Sequence, residues 1–224
     1  MKMIGKLLLS AVLGLTAFGL MLFLPAGTFE YWQAWVFLAV FTLATWIPSV
    51  YLLRQNPAAL ERRLRAGPTA EARTPQRIIV SVAFVSVVAI IVFSTLDHRF
   101  GWSPVPSALC LVGDILVAIG LGLAMLAIIQ NAYASANITV ETEQTLASTG
   151  LYGLVRHPMY TGNVIMMVGI PLALGSYWGL VFVIPGLIAL ALRIRDEETL
   201  LMQELSGYRE YAQQVQYRLV PYVW

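Results

Sequence analysis

The sequence predicts an all-α integral membrane protein, and three observations carry that prediction. Of its 224 residues, 58% are hydrophobic and only 12% are charged, whereas a soluble domain carries about 25% charged residues. The mean hydropathy is +0.74. The apolar residues are also grouped, in stretches close to the roughly 20 residues that a helix needs to cross a bilayer. A water-soluble globule could not hide this surface, and a disordered chain has the opposite composition.

Four long apolar stretches come first: Leu7–Leu24, Gln33–Leu53, Ile78–Leu96 and Ser107–Ile129. The first follows Lys2 and Lys6 and looks at a glance like a signal peptide. Its apolar run outlasts the usual core of about 7–15 residues, and Pro25-Ala26-Gly27 is a poor cleavage site, so it reads as a retained anchor. Met159–Leu174 and Trp178–Leu192 are shorter and flank a turn at Gly175-Ser176-Tyr177. They predict a short helical hairpin running on past the bilayer, or else a re-entrant one. The expectation is five to six transmembrane helices in one domain, 1–224. Residues 1–130 form the N-terminal membrane helices and 131–224 the chemistry-bearing region.

The basic residues orient these spans. All of the 14 Lys and Arg except Arg99 fall on one side, which places both termini in the cytoplasm. Trp32, Trp35, Trp46, Trp102 and Trp178 are read as interface anchors. The stretch Arg54–Arg77, with Glu61-Arg62-Arg63-Leu64-Arg65, is either an interfacial segment facing anionic headgroups or a basic loop that sets topology. Asp114, about seven residues into the fourth span, is expected to find a partner in the bundle or reach water.

Several function classes drop out. The net charge of +2 implies no nucleic-acid surface. His98 and His157 are far apart and Cys110 is the only cysteine, so neither an internal disulfide nor a zinc site is expected. Gly120 and Gly122 sit inside an apolar span and form no dinucleotide loop. The Gly120/Ala124 and Ala118/Gly122 spacings suit helix packing instead.

Two polar constellations remain. In the first, Gly150 to Gly162, Arg156-His157 stands just before Pro158, a residue suited to the first turn of a helix. Free amides at that helix start, with Arg156 and His157, would attract an anion, and Tyr152 and Tyr160 add aromatic faces and hydroxyls. The second is Arg193-Ile194-Arg195-Asp196-Glu197-Glu198, where Arg193 and Glu197 share a helix face. The hairpin returns this run beside Arg156-His157. The resulting pocket would offer both signs of charge, as suits a zwitterion with an amine and a carboxylate. Bland readings exist for both: headgroup-facing residues at a helix start, and an exposed, self-paired charge run.

From about Asn137 to Trp224 these residues closely resemble the isoprenylcysteine carboxyl methyltransferase family and the related membrane phospholipid methyltransferases. The family's Leu then Gly-x-Tyr is matched by Leu146, Gly150 and Tyr152. Its Arg-His-Pro-x-Tyr-x-Gly is matched by Arg156, His157, Pro158, Tyr160 and Gly162. Its Arg-x-x-x-Glu-Glu-x-x-Leu is matched by Arg193, Glu197, Glu198 and Leu201, and its tail by Tyr208, Tyr211 and Pro221. The resemblance implies S-adenosylmethionine as methyl donor in a cytoplasmic pocket partly covered by the tail. Gln144, Thr145, Leu146, Ala147, Tyr152, Arg156, His157, Pro158, Met159, Tyr160 and Glu197 would bind it, with Gln144 standing where members often have His. Glu197 would hold the donor's amine, and Arg156 or His157 its carboxylate. Arg193 would face a lipophilic acceptor entering from the bilayer, and Arg193, Glu197 and Glu198 form the expected catalytic set.

The acceptor is either an isoprenylcysteine-type carboxylate or a phospholipid amine. A carboxylate needs no base, and for an amine Glu198 and Tyr160 are weak candidates. Two alternatives of other classes stand beside this reading. A sterol-type NADPH reductase shares the Arg-His-Pro motif, but such enzymes continue Asn-Tyr-x-Gly-Glu, where this chain has Met159 and Asn163. A non-enzymatic membrane protein could use the same scaffold. The short loops suggest a prokaryotic cell membrane.

Overall fold

The computed structural model describes residues 2–64, 71, 73–131, 133 and 144–224. Among them every regular element is helical: α1 (Lys2–Ala26), α2 (Trp32–Gln55), α3 (Pro57–Leu64), α4 (Thr74–Phe100), α5 (Ser107–Gln130), α6 (Pro158–Ala173), α7 (Val183–Glu204) and α8 (Tyr208–Gln214). Single 3-10 turns at Gly150–Gly153 and Trp178–Phe182 precede α6 and α7. Among the described residues five helical runs are long and apolar enough to cross a membrane, and the 16-residue α6 is shorter. At 1.5 Å per residue α6 reaches only about 24 Å.

The last of the five runs is the second arm of the expected hairpin, and it runs on past its apolar part as expected. Trp178–Glu204 is a continuous 27-residue stretch and does not stop at Leu192. The helix carries on through the charged run, where Arg193, Asp196 and Glu198 are paired within the protein. Nor do α6 and α7 pack mainly on each other: α6 lies along α5 and α7 along α4. Glycines fix the first pairing. Gly113 and Gly120 of α5 meet Gly169 and Gly162 of α6, in antiparallel order. A Cβ at Gly120 would sit 2.5 Å from the Gly162 carbonyl oxygen, and one at Gly169 2.8 Å from that of Gly113. Such backbone contact requires residues without side chains. Of the two spacings singled out in the sequence, Gly120/Ala124 therefore packs, whereas a Cβ at Gly122 would meet nothing within 4 Å.

The core joins α1, α2, α4, α6 and α7 through Leu22, Phe37, Ile90, Ile91, Ile170, Leu174 and Val183. Side chains on the outside of the bundle, such as Leu9, Val12, Ile47, Val85 and Ile188, are exposed and apolar, as a lipid-facing surface requires. Trp32, Trp102 and Trp178 lie at helix ends and are exposed. Trp46 instead sits well inside α2 and lines a cavity between α1 and α2. Asp114 is buried, and neither of its carboxylate oxygens has a partner among the described residues, contrary to the expected pairing.

The stretch after α2 is more than a loop. Asn56 Oδ1 accepts the Ala59 amide at 3.1 Å and starts α3. Ala59 and Leu60 then pack on Leu52, Met125 and Ile128. Further on, Glu71 and Gln76 are buried against α7. Arg65 lies outside the described residues.

Candidate active site

Three elements converge at one end of the bundle. Gly150, at φ +62°, lets the chain turn against α5, where Gln130 Oε1 accepts the Leu151 amide at 2.9 Å. That turn presents Tyr152 and leads to His157, the residue before the first turn of α6, with Pro158 opening the helix. The last turns of α7 come back to the same level, and Gly207, at φ +79°, reverses the chain into α8.

Between them lies a cleft. Gln144, Thr145, Leu146 and Ala147 line one side, Tyr152, Arg156, His157, Met159 and Tyr160 another, and Glu197 a third. The structure thus gathers every expected cofactor residue except Pro158, whose ring opens α6. The cleft has further walls at Asn131, Tyr133, Leu201, Leu205, Tyr208 and Tyr211. Leu201 belongs to the matched Arg-x-x-x-Glu-Glu-x-x-Leu run, and Leu205 was missed although it follows one turn later on the face of Glu197 and Leu201. Tyr208 and Tyr211 are the two tail tyrosines of the resemblance. Asn131 and Tyr133 fall within the expected region 131–224 but were not singled out by any motif.

Two charge networks flank the cleft, and they separate residues that the sequence grouped together. The first centres on Glu198, which is 3% exposed and does not line the cleft. Its Oε1 accepts from Arg156 Nε at 2.6 Å and lies 3.2 Å from His157 Nε2, and its Oε2 accepts from Arg218 Nε at 2.8 Å. Arg156 Nη1 also donates to the carbonyls of Ala212, Val215 and Gln216. The amides of Arg156 and His157 donate to Tyr217 and Arg218 oxygens, and Thr161 Oγ1 donates to that of Leu219 at 2.7 Å. Arg156 and Glu198 therefore fasten the C-terminal segment over the start of α6. With both carboxylate oxygens engaged by cationic side chains, Glu198 is a poor proton acceptor, and Arg156 has few donors left for an anion. The first turn of α6 is also less open than expected: Tyr160 and Thr161 amides close onto His157 O, leaving Met159 N–H.

The second network runs through Arg193, which is 6% exposed and lies behind the cleft wall. Its Nε donates to Tyr160 Oη at 2.9 Å, its Nη1 to Gln76 Oε1 at 3.0 Å and its Nη2 to Glu71 Oε1 at 2.9 Å. Tyr160 in turn donates to Glu197 Oε2 at 2.7 Å. Arg193 thus faces a tyrosine and a buried glutamate, where an acceptor-facing role was expected. Beside it Asp196 accepts from Arg73 Nη2 at 2.5 Å and from Gln76 Nε2.

The cleft so built carries an acidic group, Glu197, on a wall of phenols and aliphatic side chains. Burial pushes the Tyr152 hydroxyl up to about 12 and raises those of Tyr208 and Tyr211 still further, so all three are neutral donors near pH 7. Tyr211 Oη donates to Tyr152 O at 2.7 Å and ties α8 to the Gly150 turn. Leu146, Met159, Leu201 and Leu205 supply apolar surface. Among the described residues no group of His, Cys, Asp or Glu is arranged to hold a metal ion.

Residues 109–209 match the sequence profile of the phospholipid methyltransferase family. Delta(14)-sterol reductase TM7SF2 of Mus musculus is 33% identical over 90 residues, which are 39% of this chain and 22% of that protein. A solved structure of the eukaryotic intramembrane Ras methyltransferase, isoprenylcysteine carboxyl methyltransferase, aligns over 98% of this chain and 86% of its own. The identity there is 16% and the TM-score 0.46. Through residues 109–209, which hold Tyr152, Tyr160 and Glu197, this multi-pass membrane protein is similar to the membrane phospholipid methyltransferases.

Proposed function

We propose that the chain is an S-adenosylmethionine-dependent methyltransferase acting on a lipophilic acceptor that reaches it from the bilayer. The observation that carries this reading is the cleft itself. It joins Tyr152, Tyr160 and Glu197, all within the family-matched residues, at the end of membrane-spanning helices, with Glu197 as the one acidic group of a lining that also holds Arg156 and His157. A ligand with a cationic amine, an aromatic base and a sulfonium between them fits that lining. Glu197 would take the amine, the Met159 amide and neutral phenols the carboxylate, and the aliphatic wall the base. When bound, such a donor supplies a methyl group on a positively charged sulfur, reactive enough to pass to an oxygen or nitrogen nucleophile.

The residues act by binding, orienting and excluding water. Transfer of this kind is an in-line displacement, and its rate depends on alignment. The segment fastened by Arg156 and Glu198 covers the start of α6 and keeps solvent from that side. A carboxylate acceptor, as on an isoprenylated cysteine, reacts in its ionised form. A phospholipid amine would need a proton acceptor, and both oxygens of Glu198 are already engaged. The geometry therefore favours a nucleophile that arrives without a proton to lose. The one-sided Lys and Arg residues support a cytoplasmic side for both termini and the cleft, and the short loops support a prokaryotic cell membrane.

Calorimetric titration of the detergent-purified protein with S-adenosylmethionine and S-adenosylhomocysteine tests the proposal. Micromolar binding that Glu197→Ala abolishes supports it, and no binding by a folded sample overturns it. A reductase is the second reading, favoured by the identity to the sterol reductase. Thermal protection by NADPH and not by S-adenosylmethionine would establish that reading instead.

A further inference from the structure

Glu71 belongs to no motif of the cleft, yet it is 3% exposed, three residues before the start of α4. It sits there to hold one side chain, since its Oε1 takes Arg193 Nη2 at 2.9 Å. The position of Arg193 makes that contact matter. Arg193 and Glu197 are four residues apart on α7, the spacing at which a guanidinium and a carboxylate pair directly. Direct pairing would neutralise the acidic group of the cleft. Instead, among the described residues, Arg193 turns to Glu71 and Gln76 and reaches Glu197 through Tyr160.

We propose that Glu71 is a positioning residue of the cleft: by holding Arg193 it keeps that guanidinium from capturing Glu197, so the carboxylate stays available to a cationic ligand group. Hydrogen-bond direction completes the argument. Tyr160 has a single hydroxyl proton, and Arg193 Nε already donates to its oxygen, so that proton must point to Glu197 Oε2. Glu71 thereby fixes Arg193, Arg193 fixes the sense of the Tyr160 hydroxyl, and Tyr160 fixes one oxygen of Glu197. Asp196, a second acid close to Arg193 on α7, is occupied by Arg73 and Gln76. Glu71, three residues ahead of α4, is in this way part of the site, although the family match begins only at residue 109.

The ligand side of this inference rests on the proposed donor, so the test separates the two. Glu71→Gln keeps an acceptor for Arg193 but removes the charge that outbids Glu197. The ligand-free structure of this variant should show the guanidinium moved onto Glu197. A guanidinium still seated on Tyr160, with Glu197 unchanged, overturns the inference whatever the ligand proves to be. In parallel, S-adenosylhomocysteine binding should weaken roughly tenfold or more in Glu71→Gln, the scale of a lost charge-assisted contact. Arg193→Gln added to it should restore most of that loss, because no cation then competes for Glu197. A purely structural role for Glu71 predicts the opposite, with the double variant binding more weakly still. The double variant also buries no unpaired charge, so it answers the question where Glu71→Gln alone fails to fold. Wild-type protein that binds no S-adenosylhomocysteine overturns the donor reading, and the variant structure still decides the role of Glu71.

Discussion

Replacing Glu198 by alanine should release the C-terminal segment while leaving the membrane helices in place. Glu198 is 3% exposed and engages Arg156, His157 and Arg218 at 2.6, 3.2 and 2.8 Å. Arg156 is itself 8% exposed, so the variant leaves a buried guanidinium without its counter-charge. Breaking one side of such a pair costs about 3–5 kcal/mol. Arg218, with 31% of its side chain exposed, adds little to that sum. For a chain of this size the melting temperature should fall by on the order of 10 °C. Hydrogen exchange locates the effect. The Arg156 and His157 amides, which donate to Tyr217 and Arg218 carbonyls, should lose protection, whereas amides in the middle of α5 should not. The double variant Arg156→Leu/Glu198→Leu removes both charges and should lose clearly less than the two single variants summed. Additive losses, or an unchanged melting temperature with full protection at His157, would refute the account of the latch.

Other consequences are open to direct measurement. Glu197→Gln should weaken S-adenosylhomocysteine binding by roughly 10- to 100-fold in calorimetry with little change in melting temperature, because the lost contact is to the ligand. Gly120→Val should force α5 from α6, since its Cβ would lie 2.5 Å from the Gly162 oxygen. The expected loss is at least about 1–3 kcal/mol, while Gly122→Ala, with open space around it, should leave thermal stability unchanged or improved. Tyr211→Phe removes the donor to Tyr152 O and should cost about 1 kcal/mol in thermal unfolding. The neutral Tyr152 hydroxyl, raised from 10.0 to about 12, contributes stability that is complete below pH 10 and is lost as pH rises through about 12. Tyrosinate absorbance should therefore show a late-titrating phenol that Tyr152→Phe removes.

The membrane helices were legible in the sequence because the bilayer imposes both their length and their composition. Leu7–Leu24, Ile78–Leu96 and Ser107–Ile129 fall inside α1, α4 and α5. The cleft was legible to the extent that its residues lie close together along the chain or repeat on one helix face, as Arg156 to Tyr160 and Glu197 to Leu205 do. What a sequence cannot rank is competition between partners. Arg193 had Glu197 on its own helix face as a local partner, and burial of Glu71 from far along the chain drew it away. Glu198, adjacent to Glu197, points into a different network, because a step of one residue turns a helix by about 100°. The same holds for helix pairing. Close backbone approach at Gly113, Gly120, Gly162 and Gly169 places α6 on α5, although the chain order suggested α7 as its partner. The amino-acid sequence alone determined that this chain is a helical membrane protein with a polar site at one end of its bundle. Which charges serve the cleft and which fasten the fold was decided by tertiary contacts between residues up to 123 positions apart, because a buried charge must pair with whatever opposite group the packing brings within reach.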